Sequence, residues 1–166
     1  MTRKAISFVF ALTALTLTFS PLYANNQASP QLQAAIIIKL LPLYNNLGNK
    51  EFRIHVVGAP ELAKLLEAKI GSMAGKAKLI SVTSGDTLPG EVDVVYLGKN
   101  LSEGTQFTQK NHVLSITGNP DMISKGVSLG IGIENSKPRV YLNLKASKAE
   151  GVDWDPQILK VAKMVG

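Results

Sequence analysis

The sequence predicts a single compact α/β domain built on a mixed β-sheet of about six strands flanked by helices and preceded by a signal peptide. Three observations carry this reading. Residues 78–83, 92–97 and 113–117 are short apolar runs separated by Gly, Pro, Asn and Asp clusters, and such continuous runs suit strands covered on both faces. Residues 52–57 alternate Phe52, Ile54 and Val56 with Arg53 and His55; Gly58 then turns the chain, Pro60 takes a first helical position, and Leu62, Leu65, Leu66 and Ile70 form an apolar stripe that stops at Gly71. Finally, 127–134 and 139–144 flank Asn135, Ser136, Lys137 and Pro138 as a hairpin.

The N-terminus explains the export signal. Arg3 and Lys4 precede an uncharged run from Ala5 to Phe19, then Pro21 and Ala24 stand before polar Asn25 and Asn26. That order is the charged, apolar and cleavage regions of a secretory signal, and the run falls short of the roughly 20 residues that span a bilayer. The division expected is 1–24 signal peptide, 25–30 flexible arm and 31–166 folded domain.

Processing leaves residues 25–166, enough for one real core. Formal charge drops from +6 to +4 with the loss of Arg3 and Lys4. This mild excess, spread along an exported chain, argues for a solvated surface and against a nucleic-acid partner. The chain has no cysteine, which excludes disulfides, Cys-based zinc sites and thiol chemistry, so stability must come from buried apolar surface.

Between these landmarks, 32–43 is apolar nearly all round, with Ile36, Ile37, Ile38, Leu40 and Leu41; its length and lack of Gly favour a buried helix that Pro42 kinks or ends, the Ile run being readable also as a strand. Lys39 in that helix is expected to extend its ammonium to solvent. A last helix is expected from Asp155 as N-cap, Pro156 at the first position and Trp154 packing on Leu159. In the hairpin, burial of Val127, Leu129, Ile131 and Ile133 with Val140, Leu142 and Leu144 sets the register. Ser128, Gly130 and Gly132 then share the opposite face with Arg139, Tyr141 and Asn143.

These six residues are the candidate partner or ligand surface, because bare glycines let another group approach closely; the alternative is that Tyr141 covers them as sheet packing. No catalytic, cofactor-binding or metal-binding set emerges. Gly126-Val127-Ser128-Leu129-Gly130 matches a nucleophile elbow on paper, but that elbow needs a helix after its serine and a later histidine, and neither follows Ser128. His55 and His112 lack a second ligand at helical or strand spacing and read as surface or satisfied core histidines. Gly58 before a helix lacks the glycine pattern and lysine of a phosphate loop, and Glu61 would repel an anion.

The C-terminal half resembles the YfiR/HmsC-like family of exported bacterial proteins. The likeness rests on the strand from Gly126 to Glu134, on Tyr141-Leu142-Asn143-Leu144, and on Ala146, Gly151 and Val152 leading into Ile158-Leu159-Lys160-Val161-Ala162. Asn143 with Gly151 is its most specific piece. Upstream, Gln33-Ala34-Ala35 and Ile38-Lys39-Leu40 resemble the family's opening helix, though the aromatic residues, Trp-Pro step and cysteines of many members are missing. The resemblance implies a periplasmic α/β domain without known catalytic residues. It also implies a regulator whose partner is an inner-membrane sensor protein such as a diguanylate cyclase, hence cyclic-di-GMP signalling and biofilm control. A periplasmic small-ligand binding module is the alternative, and a homodimer is compatible with either. No cofactor is expected, nor a membrane span once the signal is removed.

Overall fold

The computed structural model describes residues 27–99 and 103–166; the expected signal peptide lies outside them. The strands are β1 (Glu51–Val57), β2 (Met73–Ala74), β3 (Ala77–Gly85), β4 (Val94–Leu97), β5 (Leu114–Thr117), β6 (Leu129–Glu134), β7 (Lys137–Asn143) and β8 (Ala162–Val165). The helices are α1 (Pro30–Leu40), α2 (Pro60–Glu67), α3 (Gly104–Asn111), α4 (Leu144–Ala149) and α5 (Ile158–Val161). All eight strands join one sheet in the order β2-β3-β1-β4-β5-β6-β7-β8.

β3, β1, β4, β5 and β6 run parallel, while β2 and β7 reverse direction against β3 and β6, and β8 runs alongside β7. The chain moves outward from β1 through α2 to β3, then returns past β1 and continues through β4, β5 and β6. This is a doubly wound sheet, and its strand order reverses between β1 and β4. The mixed α/β fold is the one expected, with eight strands in place of about six.

Alternation along each strand divides the core. Phe52, Ile54 and Val56 of β1, Val94 of β4, Leu114 and Ile116 of β5 and Leu129 and Ile131 of β6 pack with α1 and α2. On the other face Val57, Val95, Leu97, Val113, Met122 and Val127 form a smaller cluster with Phe107 of α3. Lys39 is exposed on α1, as expected, and Ser29 caps that helix by accepting from the Leu32 amide at 3.3 Å.

The hairpin register agrees with the burial pattern, pairing Leu129 with Leu142 and Ile131 with Val140. Its turn is tighter than expected: only Asn135 and Ser136 lie outside the strands, both at positive φ (50° and 61°), the geometry of a two-residue turn that follows the strand twist. Leu144 departs from the expected apolar face. The strand ends at Asn143, whose side-chain oxygen accepts from the Ala146 amide at 3.0 Å and caps α4, leaving Leu144 39% exposed.

Other expectations change at the ends. Residues 27–30 are not a loose arm: Gln27 pairs with Gly132 where β5 has already ended, and Ala28 is buried. The expected C-terminal helix is one turn, α5, followed by β8; Asp155 instead accepts from the Gln157 amide at 2.8 Å. Leu159 is exposed, and Trp154 packs on Tyr44 with ring centroids 5.8 Å apart. The 151–155 segment is held to the turns after α1, with the Asn45 amide donating to the Asp153 carbonyl and the Asp155 amide to that of Leu43. Likewise α2 ends at Glu67, so Ile70 lies beyond the stripe and is exposed.

Gly130 faces Ile123, from the segment between β5 and β6, so closely that a β-carbon would collide with that side chain. Gly130→Ala is expected to lower stability by about 1–3 kcal/mol through overpacking. A urea melt of the variant beside wild type checks this, and an unchanged midpoint would contradict it.

Candidate functional site

The reversal of strand order creates a crevice outside the carboxyl ends of β1 and β4, the place where open α/β sheets bind ligands. The crevice encloses about 630 Å³ and opens between the start of α2, the 27–30 segment and the ends of the two strands. Gly58 follows β1, Gly98 follows β4 and Gly118 follows β5. Gly58 adopts φ +65°, and a β-carbon on Gly98 would lie 2.7 Å from the Val57 carbonyl oxygen. One on Gly118 would collide with both the Gln33 amide and the Tyr96 hydroxyl. Glycine at 118 lets helix α1 approach the strand ends, while Gly98 lets the β4 end lie against the turn after β1.

Gln33 enters from α1 through that gap and is buried. Tyr96 donates its hydroxyl hydrogen to Gln33 Oε1 at 2.5 Å, and Gln33 Nε2 donates to the Ala28 carbonyl at 2.7 Å. Burial pushes the Tyr96 hydroxyl up to about 12, against the opposing effect of hydrogen bonds with the Gly118 main chain and Gln33, so the phenol stays neutral. The crevice is therefore bordered by a neutral hydroxyl and amide on one side. On the other stand the Glu61 carboxylate and the first turn of α2, which has no side-chain cap. This arrangement can hold a ligand by neutral hydrogen bonding and shape. It contains no nucleophile paired with a base.

The six hairpin residues share the face expected of them, but most of that face is covered. Ser128, Gly130, Gly132 and Asn143 are buried, and only Arg139 and Tyr141 retain partial exposure. Gly130 is filled chiefly by Ile123, while Tyr141 lies farther off, its Cβ 3.6 Å from the position of an added β-carbon. Asn143 Nδ2 donates to the Ile123 carbonyl at 2.9 Å, so one side chain both caps α4 and holds the β5–β6 connection. Arg139 donates to Glu134 Oε2 at 3.1 Å and Lys163 donates to Oε1 at 2.5 Å, and these hydrogen bonds hold the Glu134 carboxyl below its usual range.

Ser128 is fully buried and donates its hydroxyl hydrogen to Glu150 Oε2. It has no path to a substrate, which removes the nucleophile reading of its motif. Glu150 also accepts from the Thr108 hydroxyl at 2.6 Å and from the Ser115 amide at 3.1 Å. The residue is itself fully buried, and among the described residues no cation bonds it. Desolvation consequently raises its pKa, opposed by the hydroxyl and amide donors.

His55 is buried with Nδ1 2.7 Å from the Thr83 hydroxyl and Nε2 3.0 Å from the Thr87 carbonyl. A carbonyl can only accept, so Nε2 carries a hydrogen, and with both ring nitrogens bonded this is a satisfied core histidine. His112 caps α3 in the left-handed region at φ 56°. Among the described residues, no group of three His, Asp or Glu side chains could hold a metal ion.

Reasoning from the sequence alone missed Gln33, Tyr96 and Glu150. The signals present were a glycine after each of three successive strands, and Glu150 immediately before Gly151. Gly151, at φ +70°, ends α4: the Val152 amide donates to the Ser147 carbonyl at 2.8 Å and the Gly151 amide to that of Lys148 at 3.1 Å. This Gly-terminated end holds Glu150 against β5 and β6.

Fold and site together define a doubly wound α/β domain with a switch-point crevice and no assembled catalytic set among the described residues. The chain belongs to the YfiR/HmsC-like family, whose model matches residues 30–163. That family consists of periplasmic regulators of cyclic-di-GMP signalling. No curated protein sequence matches the chain. Among solved structures, the chain is similar to a domain from Streptococcus pneumonia described as an ABC domain in complex with L-Trp. The two share 15% identity at a TM-score of 0.51, over 82% of this chain and 60% of that one. A conserved domain protein from Vibrio cholerae is similar at 11% identity and a TM-score of 0.49, over 84% of this chain and 60% of that one. The chain thus spans about three fifths of either protein. No described helix is long and apolar enough to cross a membrane.

The raised pKa of Glu150 has a definite sign in stability. The folded state binds its proton more tightly than the unfolded state, so the protein is most favoured where Glu150 is protonated in both. That advantage declines as pH rises from the ordinary value of 4.5 through the raised folded value, then levels off. Thermal melts from pH 4 to 8 are expected to show wild type losing stability relative to Glu150→Gln as pH increases; a constant difference would contradict this.

Proposed function

We propose that this protein is a non-enzymatic periplasmic regulator that binds the periplasmic part of an inner-membrane signalling protein, a diguanylate cyclase being the leading partner class. Membership of the YfiR/HmsC-like family over nearly the whole described domain carries the reading. The burial of Ser128 beneath Glu150 removes the one enzyme motif in the sequence and is consistent with regulation by contact. Deleting the gene is expected to change cellular cyclic-di-GMP, and restoring the wild-type chain to reverse the change. An unaltered level across growth conditions in which the protein is exported would count against regulation of a cyclase.

A second reading keeps the crevice in use. Its position at the reversal of strand order, its volume and its mixture of neutral polar groups favour a small polar ligand, as signal or as cargo. The similar pneumococcal domain, described with L-Trp, makes free amino acids a reasonable first panel. A ligand bound there raises the melting temperature of the folded chain, since it stabilises only that state. Gly98→Leu, which fills the crevice wall, is expected to abolish the shift. A shift retained in full by the variant would place binding elsewhere.

A further inference from the structure

We propose that the open edge of the sheet at β8 docks an acidic, extended segment of a partner protein by strand addition. This names a face for the regulator proposed above and, as to the partner's identity, rests on that reading. The sheet ends at β8, whose inner side pairs with β7, and among the described residues no strand lies beyond it. An edge strand presents unpaired amide and carbonyl groups, which another strand satisfies.

Four of the six exposed large hydrophobic residues among those described flank this edge. Leu159 and Val161 precede the strand at 54% and 51% exposure, and Met164 lies within it at 43%. Leu144 follows Asn143, the partner of Val165. The other two, Ile70 and Met73, lie at the opposite edge, where β2 covers only the start of β3 and the rest of β3 carries none of the exposed large apolar side chains.

Charge selects the occupant. The positive excess is not spread along the chain as expected: residues 137–166 hold six basic and three acidic side chains, so three of the four net positive charges of residues 25–166 fall there. One of those three acids, Glu150, is fully buried and turned away from solvent. Lys145, Lys148 and Lys160 are exposed around the apolar residues; Lys163 is exposed too, but it and Arg139 are paired with Glu134, so the first three lysines carry the unpaired charge of the rim. An acidic strand complements this rim. A second copy would bring equally basic edges together, and like charges directly opposed across strands are destabilising. A lipid surface would use the lysines and apolar groups but leave the main-chain groups of β8 unsatisfied, and α5 has only four residues to offer as an amphipathic face.

The test uses the full exported chain and, as probe, a fluorescent eight-residue peptide in which valine alternates with glutamate. Saturable binding that weakens with salt is expected, with at least a tenfold loss in the double variant Val161→Glu, Met164→Glu. The opposite-edge variant Ile70→Glu, Met73→Glu should remain within twofold of wild type. Because all four positions are exposed, thermal melts should show both variants folded; if the first is not, Lys160→Glu with Lys163→Ala replaces it. Equal binding of a valine–lysine peptide, equal binding by both edge variants, or no peptide binding would overturn the proposal. So would a wild-type dimer in sedimentation that the β8 variant dissolves, or binding to anionic vesicles in preference to the peptide. In cells lacking the native gene, the β8 variant is expected not to restore cyclic-di-GMP while the opposite-edge variant does. Restoration by both refutes the docking face and leaves regulation standing, whereas no effect of deletion refutes cyclase regulation and leaves the peptide measurement to decide the face.

Discussion

The carboxyl group of Glu150, buried with no cation bonded to it among the described residues and held by hydroxyls and one amide, organises the half of the molecule that has few apolar contacts. Thr108 reaches it from α3, Ser115 from β5 and Ser128 from β6, while α4 supplies the carboxylate itself. The Ser128 amide in turn donates to the Ser115 hydroxyl at 2.9 Å, so the two strands are linked by side chains where the ladder between them is short. Burying an ionised carboxylate without a cation is costly even when both oxygens accept hydrogen bonds, and folding therefore favours the protonated form of Glu150. Asn143 and Gly151 acquire their roles from this arrangement. One starts α4 and the other ends it, so both determine where Glu150 lies.

The opposite face is apolar and carries most of the core, which a chain without cysteine requires. The two chemistries meet at the carboxyl ends of the strands. There Gln33 leaves the apolar layer and bonds Tyr96, and Gly118 makes the space for it. Gln27 then occupies the position along β6 that β5 vacates. The crevice is thus bounded by the same N-terminal residues that complete the sheet, and its shape depends on their staying docked.

Much of the central sheet was legible from residues alone. β1, α2, β3, β4 and β5 follow from apolar runs ended by glycine, and the hairpin register follows from burial alternation. α3 was not legible: Gly-Thr-Gln-Phe-Thr-Gln-Lys-Asn has one large apolar residue, Phe107, and no stripe, and its fully buried side chain is Thr108, bonded to a distant glutamate. The last segment misled for a different reason. Asp155-Pro156 is a sound local helix start, but tertiary pairing with β7 prevails after one turn and draws Ala162–Val165 into the sheet. The hairpin glycines signalled a close approach correctly, yet only the structure reveals that Ile123 makes it. Local pattern identifies a bare surface but not its occupant.

Covering both sheet faces restricts where recognition can occur. Most of the face opposite the main core, attractive as a bare surface in the sequence, is taken up by Ile123, Asn143 and the Glu150 cradle; Arg139 and Tyr141 remain only at its margin. What the fold leaves accessible is its perimeter: the strand ends that open the crevice and the unpaired strand at the β8 edge. The two differ in chemistry, neutral polar groups and one carboxylate at the first, apolar side chains with lysines at the second. They also lie on different parts of the sheet, since the crevice borders β1 and β4 while the open edge is four strands removed from β4. A small ligand and a protein partner need not compete for the same atoms. Any coupling between them would have to pass through β5, β6 and β7, the strands that Ser115, Ser128 and Asn143 fasten to α4 and to the β5–β6 connection.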